Sequence, residues 1–102
     1  MKVLVIGGSG FLGSHVSGLL RKKRIDVKIF DAKKSIWIKS GQNFIQGNIL
    51  DRKSLAKAIK GVDIVYNFAA LANLDEARFK PLDTAKVNII GIINILLCCN
   101  KF

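Results

Sequence analysis

Several residue types are scarce in this sequence, and each scarcity excludes a class of protein. Only two cysteines occur among the 102 residues. Cys98 and Cys99 are adjacent, which excludes both a disulfide framework and a metal-binding spacing. This cysteine usage fits a reducing compartment. His15 is the single histidine, and no other ligand types cluster with it, so we expect a packing or surface role and no metal site.

Acidic residues are also few. Seven aspartates and glutamates face 17 lysines and arginines, which gives a net charge of +10. Such an excess indicates either an anionic partner or a solvated basic surface. We favour the surface, because the densest basic run, residues 21–24, closes a predicted helix, where cations complement the helix dipole. Trp37 among scattered lysines is a weak basis for a nucleic-acid stacking platform, so we expect no nucleic-acid partner.

Long hydrophobic runs are missing as well. The amino terminus carries a lysine and four apolar residues, but Gly7 and Gly8 interrupt that run and no small-residue cleavage site follows, unlike a signal peptide. The apolar stretch at residues 89–99 is shorter than the roughly 20 residues that cross a bilayer. We therefore expect a soluble, cytoplasmic protein with no membrane partner.

Apolar patterning predicts strands alternating with helices. Residues 3–6 form a continuous apolar run, typical of a strand covered on both faces in a parallel sheet. Further strands are predicted at residues 27–30, 43–46 and 62–68. Helices are predicted between the first two strands, from the N-cap Asp51 to Gly61, and from about residue 82 to residue 100. This order predicts one α/β domain over residues 1–102, with about four parallel strands, three main helices and right-handed crossovers.

A glycine-rich turn, GGSGFLG, lies directly between the first strand and its helix. It fits the pattern G-x-x-G-x-x-G from Gly7 and G-x-G-x-x-G from Gly8, in the position of a dinucleotide-binding turn. Gly7 lets the chain turn sharply, Gly10 leaves room for a diphosphate, and Gly13 lets the helix pack closely. The pattern therefore predicts a Rossmann-type, doubly wound parallel sheet.

The first amides of the helix, at Phe11 and Leu12, are predicted to bind the diphosphate together with the glycines, because they point outward with the positive end of the helix dipole behind them. The alternative is a tight turn with no ligand. Glycines at this spacing are costly in a helix start that binds nothing, which favours the ligand.

An acidic residue follows at the end of the second strand. Asp31 lies 18 residues after Gly13, where a carboxylate accepts hydrogen bonds from the adenosine ribose and repels a 2′-phosphate. This favours NAD over NADP, whereas Lys33 and Lys34 would tolerate the phosphate. The alternative for Asp31 is a turn-forming residue without a ligand.

These features resemble the NAD-dependent epimerase/dehydratase family of extended short-chain dehydrogenases/reductases. The resemblance covers essentially the whole chain, because GNILD at residues 47–51, DIVYNFAA at residues 63–70 and VNIIG at residues 87–91 resemble further family segments. It implies reversible hydride transfer between NAD and a nucleotide sugar. The alternative is a non-catalytic module that binds the dinucleotide.

The resemblance also implies roles for residues beyond the glycine turn. Asn48 replaces the family's usual aspartate and, with Ile49, would flank the adenine. Ala69 and Ala70 would leave room for the nicotinamide ribose. Asn88 would lie near the cofactor, or else be an ordinary helical surface residue.

The family's catalytic Tyr-x-x-x-Lys pair is missing from these residues. Tyr66 is the only tyrosine, the position four residues later is alanine, and its place within a strand predicts a core role. We therefore expect no catalytic residue here and no turnover by this chain. We expect the chain to be an N-terminal portion that lacks the catalytic and substrate-binding parts.

The last predicted helix is apolar on almost every side. Such a helix is expected to be buried nearly all round. The resemblance implies that it packs on the sheet and on a second subunit, and any uncovered part predicts association. We therefore expect a homodimer formed through this helix.

Overall fold

The computed structural model describes residues 1–34, 43–69 and 78–101. The elements in chain order are β1 (Lys2–Ile6), α1 (Phe11–Lys22), β2 (Asp26–Asp31), β3 (Asn43–Gln46), α2 (Arg52–Ile59), β4 (Ile64–Asn67), α3 (Pro81–Ala85), a π-helical segment (Lys86–Gly91) and α4 (Ile92–Lys101). Trp37 and Ala70 lie outside the described residues. The predicted order of strands and main helices is confirmed.

The four strands form one parallel sheet in the order β3-β2-β1-β4. Val3 of β1 pairs with Val27 on one side and with Ile64 on the other. After β1 the chain adds β2 and β3 outward in one direction and then returns to place β4 on the opposite side of β1. The sheet is therefore doubly wound, as the sequence predicts, and its order reverses between β1 and β4.

The core lies on both faces of β1, which explains its unbroken apolar run. Leu4 and Ile6 pack with Phe30, α2 and α4 on one face. Val3 and Val5 pack in a second cluster on the opposite face. Partly buried residues of α1 and β3 pack against this cluster. Successive side chains of a strand point to opposite faces, so a strand between two helical layers must be apolar at every position.

Local signals in the sequence set the ends of the first two helices. α1 ends at Lys22, and Arg24 leaves it with a left-handed φ of 60°. The carboxylate of Asp51 accepts hydrogen bonds from the amides of Lys53 and Ser54, as expected of the N-cap of α2. The helix ends before Gly61, whose φ is +80°.

The terminal helix, which comprises α3, the π-helical segment and α4, is longer and less buried than predicted. The helix begins with Pro81 at its first position. Proline has no backbone N–H, but an N–H at this position would have no acceptor within the helix. Its 21 residues are long and apolar enough to cross a membrane by length and composition alone. The length argument drawn from residues 89–99 was therefore wrong, although Asn94, Ile95 and Cys98 pack into the core of the domain.

Much of this helix is uncovered, which corrects the expectation that it is buried nearly all round. The large apolar side chains exposed on it are Leu82, Ile89, Ile90, Ile92, Ile93, Leu96 and Leu97. Tyr66 corrects a second expectation: it is 40% exposed rather than in the core. It lies in β4, an edge strand of the described sheet, and its ring stacks against that of Phe68.

Candidate functional site

A cleft of about 450 Å³ opens at the carboxyl ends of the strands. Its walls come from the turn after β1, the end of β2, the loop after β3, the residues after β4 and the π-helical segment. The reversal of strand order between β1 and β4 lies at this edge, and open α/β sheets bind ligands at such a point because the loops on either side diverge.

Two glycines shape the glycine turn, and a side chain at either position would displace neighbouring backbone atoms. Gly7 has a φ of +76°, and a Cβ there would lie 2.6 Å from the carbonyl carbon of Phe68. The Gly7 amide donates to the Phe30 carbonyl at 2.8 Å. A Cβ on Gly13 would overlap the Gly7 carbonyl oxygen. The turn therefore folds tightly on itself and against the end of β4.

The middle of the turn is open. A Cβ on Gly10 would meet only the Gly7 carbonyl oxygen, at 3.4 Å. Gly10 is the N-cap of α1 and supplies no side-chain hydrogen bond, so the first amides of the helix, those of Phe11 and Leu12, have no intrahelical acceptor. The side chains of Phe11 and Leu12 are exposed. This geometry suits an anion that approaches the backbone.

Asp31 lies beside the turn. Its Oδ2 accepts a hydrogen bond from the Ser9 amide at 3.0 Å, and its Oδ1 accepts one from the Lys33 amide at 3.3 Å. Each carboxylate oxygen can accept further hydrogen bonds. The carboxylate is thus held in place at the cleft, with capacity left for the hydroxyl groups of a ribose.

The Ser9 hydroxyl supplies a test of whether the site suits a ligand. Ser9 is 8% exposed and lines the cleft, and within the described ranges its Oγ is buried with no hydrogen-bond partner. A buried hydroxyl without a partner costs about 1–3 kcal/mol. An unsatisfied hydroxyl in the wall of the cleft, with Asp31 next to it, fits a polar ligand such as NAD.

The loop after β3 forms the wall that the resemblance assigns to adenine. Asn48 is exposed, and its Oδ1 accepts from the Leu50 amide at 2.9 Å. One lone pair of that oxygen remains for a ligand amino group. Ile49 is 6% exposed and presents an apolar surface beside it. Both residues line the cleft, as the resemblance implies.

The opposite end of the cleft is formed by the residues after β4. Phe68 and Ala69 line it, and the Ala69 amide donates to the Asn67 side chain at 3.0 Å. Val87 of the π-helical segment also lines it, whereas the neighbouring Asn88 does not. Of the predicted residues, Phe11, Leu12, Gly13 and Asn88 do not line the cleft, whereas six do: Gly7, Gly10, Asp31, Asn48, Ile49 and Ala69.

Eight residues that line the cleft were not among the predicted site residues: Ile6, Ser9, Phe30, Ala32, Lys33, Gly47, Phe68 and Val87. The glycine pattern specifies backbone positions, so it gave no reason to single out the serine between the glycines. Lys33 enters the sequence argument only through its charge. Gly47 had a detectable signal, because it follows a strand directly, and a Cβ there would lie 2.6 Å from the Phe30 ring.

The residues that the structure describes include no group of three histidine, cysteine, aspartate or glutamate side chains that could hold a metal ion. His15 is exposed on α1, with its Nδ1 2.7 Å from the Phe11 carbonyl oxygen and its ring tilted against the Phe11 ring.

Comparison with known proteins gives a consistent result. The NAD-dependent epimerase/dehydratase family matches residues 3–102. A UDP-glucose 4-epimerase of Lactobacillus helveticus is 37% identical over 98% of this chain and 32% of its own length. A UDP-glucose 4-epimerase of Schizosaccharomyces pombe is 36% identical over the same shares. The chain thus spans about a third of the length of these relatives.

Solved structures agree with the sequence matches. The UDP-glucose 4-epimerase of Thermus thermophilus, determined in complex with NAD, superposes with a TM-score of 0.90 at 28% identity, over 99% of this chain and 34% of that one. The UDP-glucose 4-epimerase of Thermotoga maritima, determined with UDP-glucose, superposes with a TM-score of 0.91 at 28% identity over the same shares.

Proposed function

Because this chain belongs to the NAD-dependent epimerase/dehydratase family, we propose that it is the NAD-binding portion of an oxidoreductase that acts on nucleotide sugars. When bound, NAD would supply a reversible hydride acceptor for the carbinol carbon of the sugar. The chain's own residues bind and orient that cofactor. The substrate class follows from the relatives, and the choice between epimerase, dehydratase and reductase is left open.

The convergence of three elements on one cleft is the observation that carries this proposal. The turn after β1 offers outward amides, Asp31 offers a fixed carboxylate, and Asn48 and Ile49 offer a polar and an apolar contact. In the proposed complex, Gly7, Gly10 and the first amides of α1 hold the diphosphate, because unpaired amides at a helix start attract negative charge.

The carboxylate favours NAD over NADP. The Ser9 amide holds Asp31 against the turn at 3.0 Å, so a 2′-phosphate on the adenosine ribose would approach a fixed negative charge. Lys33 also lines the cleft, but a lysine on a flexible stem offsets that repulsion only in part. The other end of the cofactor would lie along Ala69 and Ala70.

The test is a calorimetric titration of the chain with NAD and with NADP. We expect NAD to bind at least tenfold more tightly, because like charges side by side are strongly unfavourable. Asp31→Ala should weaken NAD binding by about tenfold or more, the usual effect of losing hydrogen bonds to a charged acceptor. Asp31→Ala should also make the dissociation constants for NAD and NADP more nearly equal. A preference for NADP in the unaltered chain would contradict the assignment of NAD.

The chain itself is proposed to bind without turnover. Its one tyrosine, Tyr66, has alanine four residues later, so the sequence lacks the tyrosine–lysine pair that moves the proton accompanying the hydride in this family. Incubation of the purified chain with NAD and UDP-glucose should give no product. Epimerisation or dehydration above background would contradict this.

A further inference from the structure

A buried amide side chain joins the terminal helix to the wall of the cleft proposed for adenine. Asn94 of α4 is 3% exposed. Its Nδ2 donates to the Ile49 carbonyl at 3.0 Å, and its Oδ1 accepts from Nε of Arg52 at 3.0 Å. One side chain of α4 thus contacts both Ile49 and Arg52, which lie 45 and 42 residues earlier in the sequence.

The apolar surroundings make this amide unusual. Ile95 and Cys98 beside it are buried in the core, and a leucine would fill such a position without the cost of removing an amide from water. The Ile49 carbonyl lies in a turn outside the strands, where a buried carbonyl needs a partner. Asn94 supplies that partner and so holds the backbone of the turn, which packing alone would not orient.

A second contact acts on the same residue. Gly91, one turn before Asn94, faces the Ile49 side chain so closely that a Cβ would overlap its Cδ1. Gly91 ends the π-helical segment, and such segments are often found at functional sites. The terminal helix therefore contacts Ile49 twice, through a hydrogen bond to its carbonyl and through close packing on its side chain.

We propose that Asn94 is a positioning residue for the adenine end of the cofactor, acting through the Ile49 carbonyl. The turn that it holds also carries Asn48, whose side chain faces the cleft from the same wall. The terminal helix thereby sets where the polar and apolar adenine contacts lie. This proposal rests on the proposed function, because it assumes that the cleft binds a dinucleotide.

The test compares NAD with nicotinamide hypoxanthine dinucleotide, in which a keto oxygen replaces the adenine amino group. Asn94→Asp keeps the size of the side chain and its acceptor for Arg52, but it removes the donor to Ile49. We expect the dissociation constant for NAD to rise about tenfold, the effect of one displaced hydrogen bond. The ratio of the dissociation constant for the analogue to that for NAD should fall toward one.

Two further variants keep the result interpretable. Gly91→Ala favours the helix, but its methyl group displaces the Ile49 side chain that packs on Gly91. It should therefore reduce the preference for NAD over the analogue, and it provides a test even if Asn94→Asp does not fold. Cys98→Ala, one turn further along the buried face, removes packing from the core and leaves the hydrogen bond from Asn94 to the Ile49 carbonyl in place. It should lower the unfolding temperature and leave the preference unchanged, which separates a loss of stability from a loss of positioning.

The outcomes separate this inference from the proposed function. Failure of the unaltered chain to bind NAD contradicts the proposed function. Equal affinity of the unaltered chain for the two dinucleotides overturns the inference alone, because there is then no adenine contact to position. A preference that stays unchanged in folded Asn94→Asp or Gly91→Ala overturns it as well.

Discussion

Gly7 and Gly10 stand three residues apart in one turn, and the space around them differs. Gly7 combines a left-handed φ of +76° with backbone atoms of Phe68 and Ala69 that would lie within 3 Å of an added methyl group. Gly10 has an ordinary φ of −74° and only the Gly7 carbonyl oxygen at 3.4 Å. The first glycine is needed for the fold, whereas the second leaves space that the fold does not use.

Substitution of these glycines should separate folding from binding. Gly10→Ala should unfold at nearly the same temperature as the parent, yet bind NAD at least tenfold more weakly, because its methyl group occupies the approach of the diphosphate. Gly7→Ala should be destabilised by about 1–3 kcal/mol by backbone strain alone. Thermal unfolding and calorimetric titration measure the two effects.

Gly18 provides the matched control. It lies inside α1, and a Cβ added there would have nothing within 4 Å, so Gly18→Ala should raise stability by roughly 0.5–1 kcal/mol and leave NAD binding unchanged. Equal NAD affinity in Gly10→Ala and Gly18→Ala would show that the open space at the turn is not where the cofactor binds.

Single residues show how far the sequence can identify a site. Spacing located Gly7, Gly13 and Asp31, because a sharp turn and a carboxylate at a strand end have local sequence signatures. Ser9 and Asn94 were not identified from the sequence, because their importance comes from contacts made across the fold. Asn94 did carry one signal, as the lone polar side chain within an apolar helical run, and such a residue invites a search for buried partners.

At the scale of the element, α2 depends on a charged cap. The Ser54 hydroxyl donates to Asp51 Oδ2 at 2.8 Å, and the Lys53 amide donates to Oδ1 at 3.1 Å. These bonds favour the ionised form, and the hydrogen bond from the Ser54 side chain is the largest cause of the lowered pKa of Asp51. Ionisation of the cap and formation of the helix are therefore linked.

The lowered pKa fixes the sign of the pH dependence. The folded-state pKa lies below the unfolded-state value, so the cap contributes its full stability above the unfolded-state pKa and loses it as the pH falls through the folded-state pKa. Asp51→Asn keeps an acceptor for the helix amides but has no charge to lose. We expect its unfolding temperature to fall less steeply than that of the parent as the pH drops from about 5 to about 2.

Unfolding curves recorded by circular dichroism across that range provide the measurement. Ser54→Ala serves as the second variant, because it removes the hydrogen bond that contributes most to the lowered pKa, and it should also flatten the acid side of the curve. Identical slopes in Asp51→Asn and the parent would contradict the assigned role of the cap.

Elements were predicted best where the signal is local. The N-cap of α2, the end of α1 and the apolar run of β1 each depend on residues within one segment. The exposure of β4 and of the terminal helix was missed, because it depends on which neighbours cover an element. Tyr66 reads as a core residue along its strand and is half-exposed because β4 lies at the edge of the described sheet.

At the scale of the whole molecule, the uncovered face of the terminal helix predicts self-association. Ile89, Ile93 and Leu96 are each 48% or more exposed and recur at helical spacing, and exposed apolar surfaces of this kind mark interaction sites. We propose a homodimer through this face. Leu96→Glu should lower the association constant by tenfold or more, by placing a charge within an apolar contact.

Analytical ultracentrifugation measures this association. Leu19→Glu is the matched control, since Leu19 in α1 is 60% exposed and Leu96 is 63% exposed, and it should leave the association unchanged. Equal effects of the two substitutions would indicate nonspecific apolar contact, and a monomeric parent at all concentrations would contradict the proposed dimer.

Binding of NAD is proposed to depend above all on contacts between the diphosphate and the backbone amides of the turn after β1. Titration with NAD followed by amide chemical-shift mapping of the ¹⁵N-labelled chain tests these contacts most directly. We predict that the largest perturbations fall on Gly10, Phe11 and Leu12, with smaller ones at Asp31 and Asn48. Unperturbed amides in this turn at saturating NAD, or shifts confined to the basic residues 21–24, would contradict binding of the diphosphate by this turn.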